Sequence, residues 1–148
     1  MTPAILFVVD EIDDCPTCSG RSAGPVVWLR ADAPHLRGVK AHELEHVRQW
    51  WIVVVVGALA AGVAALLAVP WWPALLLLGG LAHGVAYKLV RPYRQWAEVR
   101  ATVAKLTAEG WPTELIRAEA ADLAAGYDLK ITITEALGLI NKGRLRGN

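Results

Sequence analysis

The sequence has no surplus of charge of either sign. Its 15 lysines and arginines nearly balance its 14 aspartates and glutamates, and the formal net charge is +1 at pH 7. Nucleic-acid-binding proteins usually present a clustered basic surface, so this balance gives no support for a nucleic-acid partner. Internal repeats and low-complexity linkers are also lacking. A chain of 148 residues suits one compact unit.

Cysteine is scarce as well. The only two, Cys15 and Cys18, form a single CxxC motif. A zinc ribbon needs a second such pair, and a thioredoxin-like redox site needs a surrounding βαβ pattern; neither accompanies this motif. We interpret the segment as a loop with two thiols. A metal knuckle completed elsewhere in the chain and a redox pair are the alternatives.

The longest absence is that of charged side chains between Ile52 and Tyr87, where 36 consecutive positions hold no Asp, Glu, Lys or Arg. One membrane span needs about 20 residues, and a Pro-Trp-Trp-Pro turn at 70–73 interrupts the run. We therefore predict a helical hairpin with arms at about Trp50–Val69 and Pro73–Val90. The tryptophans at its ends are typical of membrane interfaces.

Two uncovered apolar helices in so short a chain favour insertion into a lipid membrane, because little protein remains to bury them. Cations flank the hairpin on both sides, whereas its turn has none (Lys40, Arg48, Lys88, Arg91, Arg94). The positive-inside rule then predicts two spans with both termini in the cytoplasm. The alternative is a hairpin buried by protein partners or by other copies, as in a larger assembly or a phage particle.

A metal-binding pattern stands directly before the hairpin, in His42-Glu43-Leu44-Glu45-His46. Residues four apart lie on one face of a helix, so both imidazoles can reach a single Zn²⁺. A glutamate next to a histidine can take a proton from a water activated by that ion. The five residues match both H-E-x-x-H and the inverted H-x-x-E-H. Helical geometry alone therefore leaves Glu43 and Glu45 as alternatives for the base.

A zinc site with two histidines needs a third protein ligand and leaves one position for water. If both arms are continuous helices about a turn near residue 71, Glu98 lies opposite residues 43–45. The same register puts His83 roughly 20 Å or more along the helix from the histidine pair. His35, in the loop before the motif, and C-terminal carboxylates such as Glu119 are the other candidates.

Two segments, Ala41–Gln49 and Glu98–Ala101, resemble the HExxH and ExxA motifs of small gluzincin-like zinc metallopeptidases of bacteria and their phages. The resemblance implies zinc held by His42, His46 and Glu98. It also implies hydrolysis of a peptide or protein substrate. The apolar hairpin between the two segments departs from the compact members of that family.

The resemblance further favours Glu43 as the general base, because those families usually have an uncharged residue where Glu45 stands. Glu45 is then expected to orient His46 or the attacking water. In the hairpin register, Tyr93 is near enough to donate a hydrogen bond to an oxyanion. The alternative is a non-catalytic protein in which zinc ties the helix before the hairpin to the helix after it.

The expected fold is mainly helical with a short N-terminal β element. Strands are predicted at Ile5–Val9 and Val26–Arg30, within a first segment of residues 1–38. The edge of the second strand is expected to hold an extended substrate by main-chain hydrogen bonds.

The remaining segments are expected to be helical. In residues 39–109 the metal-site helix starts near Val39 and continues without a break into the first arm of the hairpin. Residues 111–148 carry the last helices and a frayed basic tail. Outside the hairpin, helices are predicted at about Arg94–Ala108, Glu114–Ala125 and Thr134–Lys142.

Overall fold

The computed structural model describes residues 2–12 and 18–147. Within them, three strands and five helices follow one another, and the expected mainly helical fold with a small N-terminal sheet is confirmed. In chain order the elements are β1 (Ile5–Val9), β2 (Gly20–Ala23), β3 (Val26–Arg30), α1 (Leu36–Leu66), α2 (Trp72–Leu89), α3 (Arg91–Glu109), α4 (Thr113–Ala125) and α5 (Ile133–Gly147).

The sheet has the strand order β1-β3-β2, with β1 parallel and β2 antiparallel to the central strand. Strand β2 was not predicted, because Gly20–Ala23 is short, polar and without apolar alternation. The predicted substrate-binding edge on β3 is wrong, because β3 is paired on both sides. The strand edge nearest the metal motif belongs to β2.

Helix α1 runs unbroken for 31 residues, so the motif helix does continue into the first apolar arm. Its first half packs against the sheet through Val39 and Val47, which cluster with Val27 and Leu29 of β3. The helix starts three residues before the predicted Val39. The Glu109 carboxylate accepts a hydrogen bond from the backbone N–H of Gly38 (2.6 Å), which satisfies one donor of the first turn.

The two apolar arms approach each other closely at Gly57 and Gly79. A Cβ on Gly57 would lie 2.7 Å from the Cα of Gly79, so glycine is needed for this contact. Nearby, Trp50 Nε1 donates a hydrogen bond to the carbonyl of Gly80 (3.0 Å). The predicted register is therefore wrong, since it placed Gly80 opposite residues near 62. The end of α1 at Leu66 rather than Val69 accounts for part of the displacement.

Helices α2 and α3 are not continuous, which corrects the premise behind the predicted position of Glu98. Val90 is extended, and the two helix axes meet at 99°. Pro92 explains the break, because it has no N–H for the carbonyl of Lys88 and its ring would clash with that turn. The Arg94 guanidinium replaces the missing donor by bonding the carbonyls of Lys88 (2.5 Å) and Tyr87 (2.8 Å).

The C-terminal helices pack on α3 around a second apolar cluster, which includes Leu106, Leu123, Leu129 and Ile140. Helix α5 extends to Gly147, so the predicted frayed tail from Arg144 is helical through that residue. The N-terminus of α5 is stabilised by reciprocal hydrogen bonds between Thr132 and Glu135, a capping box.

The hairpin presents apolar side chains to its surroundings. Leu59 is 67% exposed, Leu66 88%, Leu77 72% and Leu81 65%. By length and composition, α1 is able to cross a membrane, and α2 with α3 passes the same test only as a bent pair. The part of the chain that the structure describes therefore contains one helix, or two, suited to a membrane.

Candidate metal centre

The histidines of the motif meet on one face of α1. Their Nε2 atoms are 3.3 Å apart, and the ring centroids are 5.0 Å apart. Both side chains are largely buried, with 12% of His42 and 13% of His46 exposed. One helical turn thus presents two imidazole nitrogens to the same point, as the spacing predicted.

Glu98 of α3 completes a group of three. Its Oε1 lies 3.4 Å from Nε2 of His46 and its Oε2 3.6 Å from Nε2 of His42. The amide of Gln49 donates a hydrogen bond to the carbonyl of Ala97 (3.2 Å) and so fixes α3 against α1 beside this point. Glu98 therefore lies beside His42 and His46, as expected. A bend at Val90, and not the continuous helix that was assumed, brings it there.

The surroundings of Glu98 fit a metal ion. The side chain is 1% exposed, and its Oε2 is buried without a hydrogen-bond partner. An unpartnered buried carboxylate oxygen is costly unless a cation or donor satisfies it. One ligand atom from each of His42, His46 and Glu98 lies within 4.8 Å of the others. Two imidazoles and a carboxylate form a donor set that zinc accepts.

The charge states of two of these side chains suit metal binding. Burial, together with the charge of His46, lowers the pKa of His42 to about 3, so this imidazole is neutral. Burial by itself would raise the pKa of Glu98, but His46 and His42 outweigh that effect and hold the pKa below its ordinary value. Neutral imidazole and ionised carboxylate are the forms that bind a metal.

His46 differs from His42 in its proton affinity. Burial lowers its pKa, but the hydrogen bond to Glu98 and the negative charge of that carboxylate outweigh burial, and the pKa lies above its ordinary value. A metal ion bound here would compete with a proton for His46.

The two candidate bases occupy different environments. Glu43 is 7% exposed and lines the cleft beside His42 and His46. Burial raises its pKa above the ordinary value, against the opposing effects of His46 and of a hydrogen bond from Ser22.

Glu45 instead pairs with Arg48 (2.7 Å) and Arg100 (3.0 Å). It is not among the described residues that line the cleft. The structure therefore brings Glu43, and not Glu45, to the open side of the histidine pair. Glu45 also accepts a hydrogen bond from Gln49 (3.4 Å), whereas it was expected to orient His46 or the attacking water.

The cleft beside the metal-binding group has a volume of about 760 Å³. Strand β2 forms one wall and α2 the other, and Gly20 allows β2 to lie against α1, because a Cβ there would be 2.6 Å from Val39 Cγ1. Besides the group itself, the lining includes Ser22, Gly24, Trp50, Gly80, His83, Tyr87 and Tyr127.

Three aromatic residues of α2 and α3 have positions that the sequence did not predict. His83, predicted to lie far from the motif, lines the same cleft, because α2 is displaced toward the metal-binding group. Tyr93 hydrogen-bonds Nδ1 of His83 (2.7 Å) and is not among the described lining residues. Tyr87, for which no role was predicted, donates a hydrogen bond to Glu98 Oε1. Its one sequence signal is its place at the end of the uncharged run.

The other candidate ligands lie apart from the group. Nδ1 of His35 is 3.4 Å from Glu109, and Glu119 pairs with Lys105 at 2.5 Å. Cys18 borders the cleft and is disulfide-bonded, which differs from the expected free thiol. A disulfide leaves no thiolate at Cys18 for a metal knuckle; Cys15 lies outside the described residues, and the redox alternative stays a prediction.

The comparisons with known proteins leave the family of the chain open. No family model, curated protein or solved structure matches it. A functional argument must therefore rest on the residues of the cleft themselves.

Proposed function

We propose that the chain is a zinc-dependent, gluzincin-like peptidase that its apolar hairpin anchors in a membrane. The observation that carries the proposal is the buried, unpartnered Oε2 of Glu98 next to two imidazoles. Glu43 lies on the same cleft, so a metal-binding group and a base would act together on a substrate.

Each group has a distinct role in this proposal. His42, His46 and Glu98 would hold the ion. The ion would act as a Lewis acid, which lowers the pKa of a bound water and polarises the carbonyl of the substrate. Glu43 accepts the proton of the attacking water and returns it to the leaving amine. The open edge of β2 binds the main chain of an extended peptide substrate by strand addition.

The competing function is a non-catalytic zinc site that ties α1 to α3, as expected of a structural membrane or phage-particle component. The ligands do come from these two helices. Structural zinc sites are closed by four protein ligands, whereas catalytic sites keep a position open. Only three ligand groups meet here among the described residues, and the adjoining cleft of about 760 Å³ favours the peptidase.

The membrane part of the proposal is supported by the exposure of the hairpin. Leucines at 59, 66, 77 and 81 are all more than half exposed, and exposed apolar surface of this extent marks a membrane or protein contact. The motif precedes the apolar arm at Trp50, so the metal site lies at the membrane surface. In this proposal both termini lie on the cytoplasmic side, which the flanking cations favour.

The peptidase proposal is tested with a matched pair of variants, Glu43→Gln and Glu45→Gln. Both remove one carboxylate from the same helix and keep its size. We expect Glu43→Gln to retain zinc and lose about 10²- to 10⁴-fold in peptide hydrolysis, the usual contribution of a general base, while Glu45→Gln retains most activity. Loss in the second variant alone would assign the inverted motif, and equal activity in both would contradict the mechanism.

A further inference from the structure

Tyr87 contacts two members of the metal-binding group without belonging to it. It lies near the end of α2, and its hydroxyl donates a hydrogen bond to Oε1 of Glu98. Its ring meets the ring of His46 edge-on, with centroids 6.0 Å apart and planes at 89°. A residue of the apolar arm therefore reaches the metal site directly.

The two carboxylate oxygens of Glu98 have different surroundings as a result. Oε1 accepts the hydrogen bond from Tyr87, whereas the buried Oε2 has no hydrogen-bond partner. A carboxylate that is fixed at one oxygen is restrained in its rotation and presents the other oxygen in a defined direction. Partners of this kind orient metal ligands and keep them in their binding form.

The position of Tyr87 in turn depends on how α2 packs. Arg94 bonds the carbonyl of Tyr87 at the end of the helix, and the contact of Gly57 with Gly79 holds α2 against α1. Movement of the second arm would therefore move the tyrosine hydroxyl away from Glu98.

We propose that Tyr87 is a positioning residue for the metal, which holds Oε1 of Glu98 so that Oε2 faces the ion. Through this contact the packing of the hairpin sets the affinity of the site. The inference rests on the metal site of the proposed function and adds a residue of the apolar arm to it.

The test compares Tyr87→Phe with Tyr93→Phe in the full chain, purified in one detergent. Tyr93 is a matched control because its hydroxyl bonds His83 (2.7 Å) and not the metal-binding group. Zinc affinity is measured by competition with a chromophoric chelator. We expect Tyr87→Phe to bind zinc about 10- to 100-fold more weakly, the usual effect of losing such a partner. Tyr93→Phe should bind zinc as wild type does.

A second readout separates positioning from general damage. Phenylalanine keeps the ring against His46, so metal-free Tyr87→Phe should keep the circular dichroism spectrum and the single cooperative unfolding transition of wild type, and excess zinc should restore full loading. Unchanged zinc affinity, an equal loss in both variants, or incomplete loading at excess zinc would each overturn the role of Tyr87. A wild-type protein that binds no zinc would instead contradict the proposed function itself, and this inference with it.

Discussion

Replacing Glu98 with glutamine removes the carboxylate of the proposed third ligand and leaves the shape of the site almost unchanged. The amide keeps the size of the carboxylate and still offers an oxygen to the Tyr87 hydroxyl. The variant loses the negative charge that faces Nε2 of His42 at 3.6 Å and Nε2 of His46 at 3.4 Å.

The expected loss of affinity follows from the position of Glu98. Removing a partner that only orients a ligand already costs about 10- to 100-fold in metal affinity. Glu98 is itself in reach of the ion and is 1% exposed. We therefore expect at least about 100-fold weaker zinc binding, which corresponds to about 2.8 kcal/mol at 1.4 kcal/mol per tenfold change.

The assay is chelator competition, supported by thermal unfolding with and without zinc. At a zinc concentration about 100 times the wild-type Kd, binding stabilises the folded state by about 2.7 kcal/mol, and Glu98→Gln should gain little. Glu45→Gln is the control, because that carboxylate pairs with Arg48 and Arg100 outside the cleft. An affinity loss below about tenfold in Glu98→Gln would refute the reasoning and place the third ligand elsewhere.

Three further predictions address the hairpin. A cysteine introduced at the 70–73 turn should react with a reagent added outside the cytoplasmic membrane; labelling only after lysis would contradict the topology. Gly57→Ala should lower the free energy of unfolding by about 1–3 kcal/mol in denaturant titrations, because the new Cβ would lie 2.7 Å from Gly79 Cα. Gly62→Ala is the control and should not destabilise the protein, because the space around Gly62 is open. His83→Ala should leave zinc affinity unchanged; a large loss would make this cleft residue a ligand.

The features that could be predicted from the sequence are those set by local periodicity. Four-residue spacing is enough to put His42 and His46 on one helix face. The uncharged run is enough to predict that this helix extends into an apolar arm and that a second apolar helix runs back beside it. Glu98 was also expected near the pair, and its carboxylate lies within 3.6 Å of each imidazole, but the hairpin register that led to this expectation is wrong.

The features that could not be predicted depend on tertiary packing. The break after Val90 has a local cause in Pro92, but the 99° angle of the bend and the hydrogen bond from Arg94 to the carbonyl of Lys88 have no sequence signature. Strand β2 owes its existence to pairing with β3 rather than to its own residues. Nor does the sequence indicate that β2 lies close to Glu43 at Gly20.

The displacement of α2 had the largest effect on the site. It follows from the close contact of Gly57 with Gly79, which periodicity does not specify. As a result His83 and Tyr87 face the cleft, although the sequence placed one far away and gave no role to the other.

The metal content of the purified protein tests the central claim most directly. Full-length wild type, His42→Ala and His46→Ala are purified in one detergent, dialysed against metal-free buffer and analysed by inductively coupled plasma mass spectrometry. A site of two imidazoles, one carboxylate and water predicts about one zinc per wild-type chain and almost none in either variant. Equal zinc in all three proteins, or none in wild type after reloading, would contradict the account.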